Sequence, residues 1–260
     1  MFDTNSGLRL NREVELKNRL EYTIFSQYIH LSPDETRLYY QTYDPVTEIY
    51  GVGIVHMDDP AAPIADVKLP RACFFPTIDV TGAGAMFACR TGGVYLVSPS
   101  GTVEYVGGGP GAVRDRRVPL PPVSLELAAA FRRPDGTVIA LRMNGEMVLI
   151  ERGETRALGR AFQEGNEVWV PGLGRQVGEK AIIAYRKPIA QEASGVVLLD
   201  LLTGQSRELP NTANSKFATR VGGGTLIQQP AGLRLIDDSG VDRLITGLFG
   251  DDQAGWTIAW

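Results

Sequence analysis

A four-part unit recurs five times along the chain and limits what the chain can fold into. Each copy opens with an apolar segment and turns through Pro-Asp or Gly into a β-rich segment. A later turn built on x-Gly leads to its last strand. The first copy covers residues 24–31, 36–42, 50–56 and 65–69, with Ser32-Pro33-Asp34 at its first turn. The second covers 74–80, 85–89, 94–97 and 103–106, with Gly82-Ala83-Gly84 and Ser100-Gly101. The third covers 123–131, 138–143, 147–151 and 156–158, with Pro134-Asp135-Gly136 and Asn144-Gly145. The fourth covers 168–173, 181–185, 196–200 and 207–209, with Thr203-Gly204. The fifth covers 217–221, 225–228, 233–236 and 243–245, with Gly222-Gly223-Gly224 and Ser239-Gly240. Repeats of about 35–50 residues with four strands each are the signature of β-propeller blades.

The two ends supply a further half-blade each. Residues 2–16 read as the outer part of a blade and residues 256–260 as an inner strand with nothing after it. Joined, they close a ring that would otherwise leave two unpaired edges. The expectation is therefore an all-β chain, one propeller domain over residues 1–260, with five full blades and a sixth built from both termini. Amphipathic stretches of roughly 10–15 residues, which an α/β fold needs between strands, are absent. A ring left incomplete in one chain could also be completed by a second copy, which leaves room for a homodimer.

Charge excludes several partners. The formal net charge is −4, and the densest basic stretch is Arg114, Arg116 and Arg117, a poor footprint for nucleic acid. No apolar run approaches the ~18 residues of a membrane-spanning helix. The first residues, Met1-Phe2-Asp3-Thr4-Asn5, have neither the basic nor the apolar region of a secretory signal, so a cytoplasmic location is expected.

No nucleophile elbow, phosphate-binding loop, zinc-protease motif or EF-hand loop occurs. The glycine runs 107–109 and 222–224 precede no helix and read as loops. Asp58-Asp59, Asp237-Asp238 and Asp251-Asp252 read as solvated turns. His30 and His56 are the only histidines, and the two cysteines lack zinc-ligand spacing, so neither a metal nor a cofactor is expected. Cys73 and Cys89 bracket one hairpin. A disulfide is open to them, and so are two buried thiols, which the missing signal favours.

Polar residues on inner strands carry the information about a propeller's central site. Strand alternation puts Ser124 and Glu126 on one face, and Glu167 and Trp169 on one face. Tyr22, Ser26, Tyr28 and His30 fall on the first inner strand, and Trp256 and Trp260 on the last. A carboxyl group partly removed from water suits proton transfer. The competing reading pairs each glutamate with a cation of the next blade, such as Arg220 or Lys216, and uses the aromatics for packing between blades.

His30-Leu31-Ser32-Pro33-Asp34 with Arg37-Leu38-Tyr39-Tyr40-Gln41 resembles a blade motif of the heavy subunit of methylamine and aromatic amine dehydrogenases. The likeness sharpens over Val67-Lys68-Leu69-Pro70, Cys73-Phe74-Phe75-Pro76-Thr77 and Met86-Phe87-Ala88-Cys89-Arg90. It extends more weakly through Val197–Gly204 to the C-terminus. That family consists of longer, periplasmic, seven-bladed propellers without a cofactor of their own; a light subunit carries the tryptophan-derived quinone. The resemblance implies a disulfide at the matching Cys73 and Cys89. A shortened chain without an export signal suggests a propeller working alone, as in Pictet–Spengler cyclases of natural-product pathways, which are similar stand-alone relatives.

That chemistry condenses an aromatic amine or tryptophan-like amino acid with an aldehyde and uses no cofactor. Tyr28, Phe75, Trp169 and Trp256 would form the apolar slot for an indole. Glu126, then Glu167, would take the proton from the amine and later from the indole carbon, and His30 would shuttle a proton. Two other classes stay open: a non-catalytic heavy subunit that docks a quinone-bearing light subunit, and a propeller scaffold for protein contacts.

Overall fold

The computed structural model describes residues 29–59, 62–71, 73, 76–90, 93–109, 126–169, 176–190, 193–221 and 223–246. These residues form five antiparallel sheets, and no helix occurs among them. The first sheet holds β1 (Ile29–Leu31), β2 (Arg37–Asp44), β3 (Ile49–His56) and β4 (Ala65–Lys68). The second holds β5 (Thr77–Thr81), β6 (Gly84–Cys89), β7 (Gly93–Val97) and β8 (Val103–Gly107). The third holds β9 (Leu127–Arg132), β10 (Val138–Arg142), β11 (Glu146–Glu151) and β12 (Glu154–Arg160). In the fourth, β15 (Lys180–Arg186) pairs with two short inner pieces, β13 (Glu167–Val168) and β14 (Gln176–Val177), and with β16 (Gly195–Asp200). β17 (Ser206–Glu208) completes it. The fifth holds β18 (Phe217–Val221), β19 (Gly224–Gln229), β20 (Gly232–Asp237) and β21 (Asp242–Thr246).

Each sheet is a meander ordered from inside to outside, which is the blade of a propeller. The five expected repeats thus each become one sheet. The fourth inner strand, expected over 168–173, is instead split, because β15 pairs with 167–168 at one end and 176–177 at the other. The terminal sixth blade falls on residues 2–16 and 256–260, which lie outside the described residues.

Burial explains why the middle strands read as nearly continuous apolar runs. Successive side chains of a strand enter two different cores, one on each face of the sheet. Ala181, Ile183, Val197 and Leu199 pack with Phe131, Ile139 and Leu141 of the third sheet. Their neighbours Ile182, Ala184, Val196 and Leu198 pack with Ala218 and Ile227 of the fifth. The same division places Phe87 and Val97 with Tyr39, Val52 and Ile54 of the first sheet, and Met86, Ala88 and Leu96 with Leu127 and Ala140 of the third. Outer strands have lost one neighbour, so Glu154, Thr155 and Arg156 of β12 are exposed.

The turn residues act through their side chains. Asp34 Oδ1 accepts from Ser32 Oγ at 2.6 Å and Thr36 Oγ1 at 2.9 Å, and Asp135 Oδ1 accepts from the Thr137 N–H at 2.9 Å. Gly136 follows with φ of 86°, a conformation that costs glycine nothing. Asp237 caps its turn from the Ser239 and Val241 N–H groups, both at 2.9 Å.

Candidate functional site at the leading ends of the inner strands

Hydrogen bonds between blades gather where the inner strands begin. Gln41 Nε2 donates to the Pro76 carbonyl at 2.6 Å, joining the first sheet to the second. Thr77 Oγ1 donates to the Ala128 carbonyl at 2.7 Å, and the Leu127 N–H to that of Arg90 at 3.3 Å. The Val168 N–H donates to Met143 at 2.8 Å, and the Asn214 N–H to Ala193 at 2.8 Å. The last three join the loop between a sheet's second and third strands to the start of the next inner strand, the Thr77 bond links the starts of two inner strands, and Gln41 reaches from within β2. This rim is therefore assembled from neighbouring sheets and is rigid at the backbone.

Glu126 sits on it, one residue ahead of β9. Its backbone carbonyl accepts from the Met143 N–H at 2.8 Å, and its side chain is only 7% exposed. Arg90 Nη1 lies 3.7 Å from Glu126 Oε2, outside hydrogen-bond reach, and that oxygen is buried with no hydrogen-bond partner. The sequence offered the next blade's Arg220 or Lys216 as the competing partner. The cation comes instead from the preceding blade, because Arg90 is in the turn after β6 that abuts β9. Arg220 is taken by Asp238, with Nη1–Oδ1 at 2.6 Å.

Glu167 lies on the same rim and is already engaged. It faces Arg186 across the β13–β15 pair, with Arg186 Nε at 2.9 Å from Oε1. Nearby, Glu146 is shared by Arg142 at 3.3 Å and Arg160 at 3.6 Å.

The other expected site residues do not join this group. His30 is buried two residues ahead of the Ser32–Asp34 turn and pairs with Tyr39, which puts it at the opposite, turn end of the inner strands. Trp169 is buried among Ile182, Ala184, Val196 and Ala218, so its ring packs the fourth sheet against the fifth. Tyr28, Phe75 and Trp256 lie outside the described residues.

At the turn end, Gln176 ties three blades together. Its side-chain Oε1 accepts from the Arg132 N–H at 2.9 Å, its Nε2 donates to the Arg132 carbonyl, and its own N–H donates to Asp79 Oδ2 at 3.3 Å. Sequence reasoning missed Arg90 and Gln176. Arg90 had a signal, its position directly after Cys89 at a strand end; Gln176 had none.

Cys73 and Cys89 form a disulfide, with Cα atoms 4.8 Å apart. This replaces the buried-thiol reading. Both residues are buried in the core between the first two sheets, and the bond fixes the end of β6 next to Arg90. Surface hollows lie elsewhere: one of about 410 Å³ on the outer hairpin of the third sheet includes Glu151, Arg152 and Arg156. Another of about 390 Å³ is lined by Ser194 and residues 208–213.

No family model matches the chain, and no curated protein sequence does either. Among solved structures, the chain is similar to one in the nidogen/laminin complex, with a TM-score of 0.51, 10% identity and coverage of 82% of this chain and 77% of that one. It is also similar to the β-propeller domain of the Trilobed protease from Pyrococcus furiosus, with a TM-score of 0.49, 9% identity and coverage of 84% and 70%. Against the extracellular domain of the putative one component system BT4673 from B. thetaiotaomicron the TM-score is 0.45 at 14% identity. There the match covers 83% of this chain but only 28% of the other. At such identities a likeness speaks to fold alone.

Proposed function

We propose that the chain is a cofactor-free enzyme that condenses an aromatic amine or tryptophan-like amino acid with an aldehyde, with Glu126 as its acid–base group. One observation carries this reading: Glu126 Oε2 is a buried carboxylate oxygen without a hydrogen bond, on a rim built by two sheets. A buried acceptor left without a donor is costly, and an ammonium group would supply one. In this scheme Glu126 takes a proton from the ammonium, and the freed amine attacks the aldehyde carbon. Glu126 returns that proton to the carbinolamine hydroxyl, which leaves as water to give an iminium ion, and the indole carbon closes the ring on it. The proton displaced from that carbon returns to the carboxylate. Glu167, bound by Arg186, keeps only a supporting place in this scheme, and His30 none at the rim. The reading includes a six-bladed ring closed by both termini and kinship with the amine dehydrogenase heavy subunit, which the Cys73–Cys89 bond supports. That bond also favours an oxidising compartment over the cytoplasm.

The test is incubation with L-tryptophan and a set of aldehydes, with product mass and enantiomeric excess read against a protein-free control. A single stereoisomer above background is expected, and Glu126→Gln should lower its rate about 10²-fold. Racemic product at the control rate with every aldehyde would overturn the reading.

The scaffold reading has one observation in its favour. Val241, Leu244 and Ile245, on or beside the outermost strand β21, are each about half exposed, and apolar exposure on an edge strand invites a partner.

A further inference from the structure

We propose that the hollow beside Glu208, between the fourth sheet and the loop that leaves it, binds a small primary alkylammonium ion. This goes beyond the condensation reading and does not depend on it, because Glu126 takes no part.

Three features converge on the Glu208 carboxylate. The first is space: the hollow measures about 390 Å³ and is lined by Ser194 and residues 208–213, a size that suits a small molecule. Glu208, Pro210, Asn211 and Ala213 are all exposed, so a ligand reaches the carboxylate directly from solvent. The second is a gap in the sheet. A Cβ on Gly195 would stand 2.9 Å from Glu208 Oε1, so β16 gives up a side chain where the carboxylate sits. Tyr185 then holds that oxygen by donating its hydroxyl to it. The third is charge: among the described residues no cation pairs with Glu208, and Oε2 accepts no hydrogen bond.

The loop that forms the rest of the hollow is pinned. Gln229 Nε2 donates to the carbonyls of Asn211 and Ala213, at 2.8 and 2.7 Å. Thr212 Oγ1 accepts from the Val196 N–H at 2.9 Å. Asn211 and Asn214 hold φ of 55° and 60°, a left-handed conformation that asparagine visits more readily than most residues. A hollow built in advance loses little conformational entropy when a ligand enters.

The class of ligand follows from the acceptors on offer. Ser194 Oγ accepts from the Lys187 N–H at 3.1 Å and keeps a second lone pair. With Glu208 Oε2 it calls for a cation that carries N–H donors. An ammonium is a compact charge whose three donors can diverge to separate acceptors, whereas a guanidinium is a planar fork that wants both oxygens of one carboxylate. Tyr185 already bonds Oε1, which favours the ammonium. Leu209, Pro210 and Ala213 line the same hollow and give an alkyl chain an apolar wall.

Titration calorimetry on the full chain tests this with n-butylammonium, n-butanol, n-butyltrimethylammonium and n-butylguanidinium. n-Butylammonium is expected to bind at least about tenfold more tightly than each of the others. Glu208→Gln should lower its affinity about tenfold, and Glu126→Gln should leave it within about twofold, as expected for separate sites. Tyr185→Phe frees Oε1 and should raise n-butylguanidinium binding severalfold, which a loss of packing alone would not do. Equal affinity for the alcohol and the ammonium, or no binding of n-butylammonium, overturns the proposal. So does binding that Glu126→Gln abolishes and Glu208→Gln does not. If a variant fails to fold, the ligand series on the wild type decides. Ammonium binding at Glu208 with no condensation product upholds this inference and overturns the cyclase reading. Stereoselective condensation without n-butylammonium binding does the reverse.

Discussion

The Tyr185 ring lies across Gly195, its cross-strand partner between β15 and β16, and its hydroxyl donates to the Glu208 carboxylate beyond it. A Cβ on Gly195 would stand 2.6 Å from the Tyr185 oxygen and 2.8 Å from Cζ. The first sheet repeats the device: Tyr40 pairs with Gly53, where a Cβ would come within 2.0 Å of the ring. In both places an aromatic ring covers a strand glycine, the same arrangement that stabilises designed sheets.

The two glycines should respond differently to alanine. Tyr40 is 1% exposed and has no room to move, whereas Tyr185 is half-buried and can swing its hydroxyl outward. Gly53→Ala should cost about 3 kcal/mol and Gly195→Ala about 1 kcal/mol, the upper and lower ends of the overpacking range. Urea midpoints will show the order, and equal losses would refute the ring-over-glycine account.

Tyr185 also sets an alkaline limit. Burial first, then its bond to Glu208 and that residue's charge, push the phenol from 10.0 up to about 12. A raised folded-state value means that the contribution to stability is whole below pH 10 and is lost as pH climbs towards 12. Tyr185→Phe should flatten that decline in thermal melts run across this window. The wild-type slope persisting in the variant would assign it to other groups.

At the acid side the group to watch is Asp238. Burial raises its carboxyl, but the Arg220 bond and charge, with those of Lys180, outweigh burial and hold it below the ordinary aspartate value. Its stabilisation is therefore present above pH ~4 and disappears as pH falls through the depressed value. Asp238→Asn leaves the 2%-exposed Arg220 side chain without its carboxylate. A loss of about 3 kcal/mol at neutral pH follows, with a shallower acid limb in denaturation curves.

The disulfide predicts a separate loss. Its ends are 16 residues apart in sequence, and closing a loop of that size contributes about 3 kcal/mol. Guanidinium unfolding with and without reductant should differ by that amount. Intact mass should rise by two hydrogens only after unfolding in reductant, because both sulfurs are buried.

Strands and turns were legible in the sequence because each depends on neighbours a few residues away. Pro134-Asp135-Gly136 closes its own hairpin, and Ser32 and Thr36 cap Asp34 locally. The site was legible only in part. Alternation assigns a residue to a face, but both faces of the second, third and fourth sheets are buried against neighbouring sheets, so the pattern that grouped Trp169 with Glu167 could not separate a tunnel from a packing layer. The partner of Glu126 is Arg90, a whole strand-and-loop excursion earlier, and no periodicity links the two. His30 differs from the glutamates in height rather than in face: its closeness to the Ser32-Pro33-Asp34 turn puts it at the far end of the inner strand.

Gln176 has a mechanical consequence. By bonding Arg132 and Asp79 at once, it pins three blades at one end of their inner strands. The Thr77–Ala128 and Leu127–Arg90 bonds tie the second and third sheets at the opposite end of the same inner strands. Those two blades are therefore fastened at both ends and cannot hinge open about either one.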